Sequence, residues 1–456
     1  MPTYTLHYFP LRARGELIRL LFAAAGKTYT DKIITFADWP SKKPEMPTGQ
    51  LPVLEVDGVK ISQSLAISRY LSREFGMAGD SSLDQAKTDQ VVDTIGDLLT
   101  EFFKFAFEKD PEKKEELKKK TFDTVLTTFA TNVTKFLDMN KDKSGYFVGK
   151  KLTAADLAVY EGFENFLLAD PKALDKYPKL VAHRKLVLSN PKVKAYVDKR
   201  PKSDFEQTSL SEGHIYVYHK PDNTSRPTSI LGQSSTTIYP RTLYYQHLPD
   251  NMPSHKLIYF GVRARGELIR LAFAAAGQTC EEDTITFPDW PALKPKMPTG
   301  QLPVLEVDGK QLSQSMAIAR YVGREFGLAG KNNLEQCMVD QVIDTASDCL
   351  TEYVKSHFEK DEKKKTEIRK TLVDETIPKF ARIFTTFLEN SGGKNGFFVG
   401  SELTLADLAC HEVFTDFLLL NADALKDFPK LAANRQKVED NENVKRYLAK
   451  RPENPI

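Results

Sequence analysis

Two stretches of this chain place a phenol, a guanidinium and a carboxylate at the same spacing. Tyr8, Arg14 and Glu16 lie in LHYFPLRARGELIRL (Leu6–Leu20), and Tyr259, Arg265 and Glu267 lie in LIYFGVRARGELIRL (Leu257–Leu271). Each stretch reads as a short apolar strand that stops at a Tyr-Phe pair and runs into a helix, with the three groups exposed. A phenol at a strand end, facing a helix N-terminus, is placed to donate a hydrogen bond to an anion. The same pattern also suits a tyrosine that packs at the edge of a core. Cysteine chemistry is not expected, because Cys280, Cys337, Cys349 and Cys410 form no CxxC pair and all lie in the second half. That usage fits a reducing, cytoplasmic setting and speaks against a disulfide framework or a zinc site.

The elements that must position these groups occur twice. At an offset of 251 residues the chain aligns with itself without a gap, and Met46–Gly58 (MPTGQLPVLEVDG) recurs unchanged at Met297–Gly309. So long a period means that each copy is a complete folding unit. The reading is two copies joined through a Ser-, Thr-, Tyr- and Pro-rich linker at 206–251. The chain has 456 residues, a net charge of +2 and 28% charged residues. This balance argues against nucleic acid as a partner, for which a basic face is expected. No apolar run is long enough to span a membrane, and MPTYTLHYFP has no signal-peptide pattern.

Within one copy, Thr3–Tyr8 reads as a strand, Arg12–Gly26 as an amphipathic helix and Tyr29–Phe36 as a second strand. Asp38 stands as an N-cap before Trp39-Pro40, with Pro40 at the first helical position. Gln50–Gly58 is a strand entering a hairpin, with Pro52 suited to a cis bond, and Gln63-Ser64 opens a helix to Phe75. From there the pattern is helical only: Leu83–Phe107, Glu115–Leu137, a Thr153/Asp156 capping box, then helices near Leu180–Leu188 and Val193–Lys199. The expected architecture is α/β plus all-α, with domains at 1–79, 80–205, 252–330 and 331–456.

That order and these motifs resemble the cytosolic glutathione transferases, most closely the sigma class, which includes prostaglandin D synthases. The resemblance spans residues 1–205 and 252–456. It implies a thioredoxin-like domain followed by a helical domain, in a tandem fusion of two full-length copies. It further implies glutathione as cosubstrate, no other cofactor, and conjugation to small hydrophobic electrophiles through a tyrosine-stabilised thiolate. Peroxide reduction or isomerisation would be side activities. Tyr8 and Tyr259 would hold the thiol, with Arg14 and Arg265 behind them. Trp39 with Lys43, and Trp290 with Lys294, would meet the glycyl end. Gln50, Leu51 and Pro52, and Gln301, Leu302 and Pro303, would lie along the tripeptide backbone. Gln63 and Ser64, and Gln314 and Ser315, would take the γ-glutamyl carboxylate. Asp97 and Asp348 would reach the γ-glutamyl amine in the neighbouring copy's site.

Asp89, Asp93 and Asp97, like Asp340, Asp344 and Asp348, fall at i, i+4 and i+8 on one helix face. The default for such a stripe is a solvated surface, and a facing cation would relieve its repulsion. In sigma-class prostaglandin D synthases a carboxylate cluster there binds a divalent cation. Here Gly96 and Ser347 stand where a further acid would be, so no metal is expected. Lys104 and Lys355 replace that enzyme's pocket tryptophan, so prostaglandin specificity is not carried over. The alternative function is a non-catalytic, crystallin-like or ligand-binding protein on the same fold. The family works as dimers. A linker of this length spans roughly 35–40 Å, enough for an intrachain pseudo-dimer in place of a homodimer.

Overall fold

The computed structural model of the chain describes residues 2–200, 253–390, 393 and 395–451. The stretch read as a linker, 206–251, lies outside the described residues. Copy 1 opens with β1 (Tyr4–Tyr8), α1 (Glu16–Ala25), β2 (Thr30–Ile33), α2 (Trp39–Lys42), β3 (Val53–Val56), β4 (Val59–Ser62) and α3 (Ser64–Glu74). Six helices follow: α4 (Ser82–Ala106), α5 (Pro111–Lys120), α6 (Leu126–Met139), α7 (Ala154–Ala169), α8 (Pro178–Leu188) and α9 (Pro191–Lys199). Copy 2 repeats the series from the strand His255–Phe260 to the helix Glu442–Leu448.

Each sheet has four strands in the order β2-β1-β3-β4, with β1 parallel to β2 and antiparallel to β3. The β3–β4 hairpin turns at Asp57-Gly58, where both residues have positive φ, as a tight two-residue turn requires. Each half is therefore a thioredoxin-like domain followed by a helical domain. α1 buries Ile18, Leu21 and Phe22 against the sheet and stops at Gly26, whose φ of 65° admits a left-handed cap. The capping box opens α7 as the spacing predicts. Thr153 donates to Asp156 through both its amide and its hydroxyl, each at 2.7 Å. Asp156 also accepts from the Phe147 amide at 3.0 Å and faces His183 Nε2 at 3.0 Å, so this fully buried carboxylate has every lone pair engaged.

Several local expectations change. The first helix begins with a 3-10 turn, Ala13–Gly15, and is α-helical only from Glu16. β2 is shorter than expected and exposed along its length, as an edge strand. Asp38 does not cap α2: its carboxylate accepts from the Thr35 hydroxyl at 2.7 Å, and Pro40 follows Trp39 inside the helix. The rod expected at Glu115–Leu137 starts at Pro111 and widens to a π-helical turn at Thr121–Val125, as it does at Leu372–Thr376 in copy 2. Glu16 is buried at 1% exposure. It accepts from the Tyr196 hydroxyl at 3.0 Å and from Arg200 at 2.8 Å, so α9 and the segment after it are tied back to α1. Glu267 is held the same way by Tyr447 and Arg451.

The aspartate stripe is a solvated face only at its last members, Asp97 and Asp348; Asp89, Asp93, Asp340 and Asp344 are enclosed between the copies. α3 packs on the copy 2 helix Asn333–Phe358, and α4 packs on Ser315–Glu325. Arg69 on α3 reaches Asp89 and Asp93 of its own copy and Asp344 of the other. Arg320 reaches Asp340, Asp344 and, across the interface, Asp93. Arg73 bonds Asp340 and Arg324 bonds Asp89, again between copies. The facing cations are four arginines, two from each copy, and both Arg69 and Arg320 are 2% exposed. Outside this knot, the Ser62 amide donates to Gln341 at 3.2 Å and the Ser313 amide to Gln90 at 3.0 Å.

The two copies thus pair many of one another's interface groups within one chain, and tethering raises their effective concentration well above that of a second chain. Light scattering at low concentration is expected to return one chain's mass, 51.5 kDa. A predominantly two-chain species would count against the intrachain arrangement.

Candidate functional site

β1 delivers Tyr8 to the edge of the core, where it is 4% exposed. The ring lies so close over the start of α1 that a β-carbon at Gly15 would stand 2.4 Å from it; Gly266 has the same relation to Tyr259. Glycine is the residue that permits this approach. Ala13 takes φ of 33° and Ala264 φ of 30°, in a left-handed region that costs alanine about 1–2 kcal/mol. The amide that follows each one meets the tyrosine: Arg14 N donates to Tyr8 Oη at 3.1 Å, and Arg265 N to Tyr259 Oη at 3.2 Å. Strain held at such a point is characteristic of a functional site.

Burial raises both tyrosine pKa values. The amide bond and the charges of Arg14 and Arg19 at Tyr8, and of Arg265 and Arg270 at Tyr259, offset this only in part. Each phenol therefore stays protonated at neutral pH. Its oxygen accepts from the arginine amide, and its hydrogen remains to be donated.

A second part of the site is the start of α3. Gln63 has φ of 69° and Gln314 φ of 70°, again in the left-handed region. Ser64 and Ser315 each occupy the first position of an 11-residue helix, where free amides and the helix dipole favour an anion. The Gln63 side-chain amide donates to Thr345 at 3.0 Å and to Asp348 at 3.3 Å, both in copy 2. Gln314 donates to Thr94 and Asp97 of copy 1, each at 3.1 Å. With its hydrogens engaged, each glutamine has its carbonyl oxygen left to accept.

The remaining expected residues border these two centres. Trp39 is half-buried, edge-on to Phe9 at 5.5 Å, and packs on Ile34, Met46 and Val53; Trp290 meets Phe260 at 5.6 Å. Lys43 and Lys294 are exposed, each beside the glycine of the following turn, Gly49 or Gly300. The Leu51-Pro52 and Leu302-Pro303 bonds are cis.

A cleft of about 1080 Å³ between the copies gathers Arg14, Gln50, Gln63, Ser64 and Asp97 with Arg265, Trp290, Lys294, Gln301, Leu302, Pro303, Gln314, Ser315 and Asp348. Tyr8, Tyr259, Trp39, Lys43, Leu51 and Pro52 do not line it. Lys104 and Lys355 do, each paired with a glutamate one helical turn earlier.

Of the residues that hold the glutamines, sequence reasoning named Asp97 and Asp348 but passed over Thr94 and Thr345, and it passed over Gln90 and Gln341, which hold the Ser313 and Ser62 amides. Gln90, Thr94 and Asp97 share one face of α4, and all three recur in copy 2. That i, i+4, i+7 recurrence of polar groups ahead of Asp97 was the available signal.

The profile described as Glutathione S-transferase, N-terminal domain, matches residues 3–73 and 255–324. The profile described as Glutathione S-transferase, C-terminal domain, matches 96–200 and 347–451. The chain belongs to the glutathione S-transferase family. It carries the family's two-domain unit twice.

Among the relatives of this chain is the hematopoietic prostaglandin D synthase of Gallus gallus, 44% identical over 203 residues, which are 44% of this chain and 99% of the relative. S-crystallin SL11 of Nototodarus sloanii is 40% identical over 206 residues, 45% of this chain and all of the relative. The probable glutathione S-transferase 6 of Caenorhabditis elegans is 41% identical over 212 residues, with the same coverage. Each relative therefore corresponds in length to one copy.

Seating of the tyrosine ring on glycine is open to test. Gly15→Ala, or Gly266→Ala in copy 2, forces the ring off its seat, and overpacking of this kind costs about 1–3 kcal/mol. Urea unfolding of the full chain is expected to show the loss. An unchanged midpoint would mean that the ring does not rest there.

Proposed function

We propose that the chain conjugates glutathione to small hydrophobic electrophiles, with Tyr8 and Tyr259 stabilising the thiolate. The observation that carries this reading is a buried, neutral phenol whose oxygen is held by a backbone amide and whose hydrogen is left to donate. A free thiol with pKa near 8.5 is only a few per cent ionised at neutral pH. Lowering it by two units takes about 2.7 kcal/mol of preferential anion stabilisation. A hydrogen bond to a charged sulfur contributes about 1.5–3 kcal/mol.

Ser64 and Ser315 at their helix starts suit the γ-glutamyl carboxylate, and Asp348 and Asp97 suit the ammonium. Leu51 and Leu302 suit main-chain pairing with the tripeptide, with Gln50 and Gln301 beside it. Trp39, Lys43, Trp290 and Lys294 suit its glycyl end. The thiolate sulfur attacks the electrophilic carbon. A carbon–sulfur bond forms, the leaving group departs with its electron pair, and the thiol proton goes to solvent. The protein's part is control of the thiol pKa and proximity.

The test is conjugation to a generic aryl halide by the full chain and by its Tyr8→Phe/Tyr259→Phe double variant. A fall in rate of roughly 10- to 150-fold is expected, the rate equivalent of 1.5–3 kcal/mol. A variant as active as the parent would remove the tyrosines from the mechanism. The crystallin relative favours a second reading, a binding or bulk protein. Tight glutathione binding with no rate in the parent would establish that one.

Acid pH gives another test. Asp348 and Asp97 are open to cleft water yet walled by both copies. That enclosure raises both carboxyls, Asp348 to about 6, against the pull of the Gln63 and Gln314 amides. Protonation removes the charge that an ammonium needs. Glutathione affinity at the Asp348 site is therefore expected to weaken as pH falls from 7 to 5, read by calorimetric titration. A flat profile would exclude Asp348 as the amine's partner.

A further inference from the structure

Because the chain is one molecule, its two halves need not be equivalent, and the cleft shows that they are not. Site 1 is built on copy 1 with Asp348, and site 2 on copy 2 with Asp97. We propose that site 2 binds glutathione more tightly than site 1, and that Asn132 is the positioning residue responsible. This rests on the glutathione reading above.

The loop that follows the glycyl-end residues is identical in the two copies, MPTGQ at Met46–Gln50 and at Met297–Gln301, although the turn before it differs, with Lys42 and Glu45 opposite Leu293 and Lys296. Its surroundings differ. In copy 2, Asn132 on α6 of copy 1 donates from Nδ2 to the Thr299 carbonyl at 3.1 Å, a buried bond between copies. The counterpart of Asn132 is Ile383, which has no hydrogen to donate. Pro298 and Thr299 are buried, whereas Pro47 and Thr48 are only half-buried. The cleft wall shows the same difference: it includes Trp290, Lys294, Thr299, Gly300 and Gln301, but only Gln50 from the matching stretch of copy 1. Within MPTGQ the sequence is the same, so asparagine at 132 against isoleucine at 383 is the difference that bears directly on the Thr299 carbonyl.

A buried carbonyl without a partner is unfavourable, so the Asn132 bond fixes one loop conformation. The pinned loop runs between Lys294 and Gln301, and a β-carbon at Gly300 would stand 3.6 Å from Lys294 Cγ. Holding it before the ligand arrives removes an ordering cost that site 1 still bears on binding.

The chain offers a direct readout, because its two tryptophans are Trp39 and Trp290, one at each site. In the Trp39→Phe chain, Trp290 fluorescence reports reduced glutathione at site 2. In the Trp290→Phe chain, Trp39 reports site 1. Site 2 is expected to show the lower Kd. Asn132→Ala should raise the Kd reported by Trp290 roughly two- to tenfold, the range that one net hydrogen bond allows, and leave the Trp39 value unchanged. Asn132→Asp, nearly the same volume but with no hydrogens to donate, should do the same. Equal affinities in the parent, or Asn132 variants that shift both sites alike or neither, would overturn the proposal. Absence of any saturable change at both tryptophans would overturn the glutathione reading itself, and the proposal would fall with it.

Discussion

The structure depends on the knot of arginines and aspartates between its halves. Arg69 and Arg320, both fully enclosed, each touch carboxylates of both copies. Taking such charges out of water costs several kcal/mol per ion, and mutual attraction repays this only where the geometry is complete. The knot is therefore a poor source of net stability. It is a strong source of registry, because a displaced copy would leave buried charges unmatched, and breaking one buried pair costs about 3–5 kcal/mol. The helices that carry it, α3 and α4, are the ones that begin at Gln63-Ser64 and bear Asp97. Fixing the interface thus fixes each candidate site, whose glutamine is anchored by a threonine and an aspartate of the other copy.

Much of this could be read from the residues. The strand-end tyrosine, the hairpin at Asp57-Gly58 and the capping box at Thr153/Asp156 are local devices. Their partners lie within a few residues, so spacing reveals them. The cis bonds at Pro52 and Pro303 and the two-domain order were likewise visible. What spacing misjudged were groups whose partners are remote. Glu16 reads as the polar face of a helix. It is buried because Tyr196 and Arg200, more than 175 positions along the chain, come back to meet it. Asp89, Asp93, Asp340 and Asp344 read as solvated because their cations sit on α3 and on a helix of the other copy. Asp38 beside a Trp-Pro start looks like a cap, but Thr35 competes for its carboxylate.

The tyrosine shows how core packing can dispose a single polar atom. Its ring is core: seated on Gly15, beneath the Arg19 guanidinium at 5.6 Å, and 5.8 Å from Phe9. Only the hydroxyl is left to act. Burial keeps it protonated, and the strained turn at Ala13 brings an amide to its oxygen. The two readings of Tyr8 open at the level of sequence, core packing and anion binding, are thus not exclusive. The packing is what aims the hydroxyl.

Joining the copies changes what a substitution can do. In a symmetric dimer of identical chains every residue appears at both sites, so any gain at one is repeated at the other. Here positions 132 and 383 are separate residues of one chain, and they are asparagine and isoleucine while Met46–Gly58 and Met297–Gly309 are identical. The interface knot holds the overall pairing symmetric, with each arginine answered by its counterpart. Differences occur at the interface, where Asn333 bonds Arg73 and its counterpart is Ser82, and in the walls, where Asn132 bonds a carbonyl and Ile383 is buried among apolar neighbours. A rigid shared centre with divergent walls lets two sites on one fold differ in affinity while each still draws its aspartate from the other.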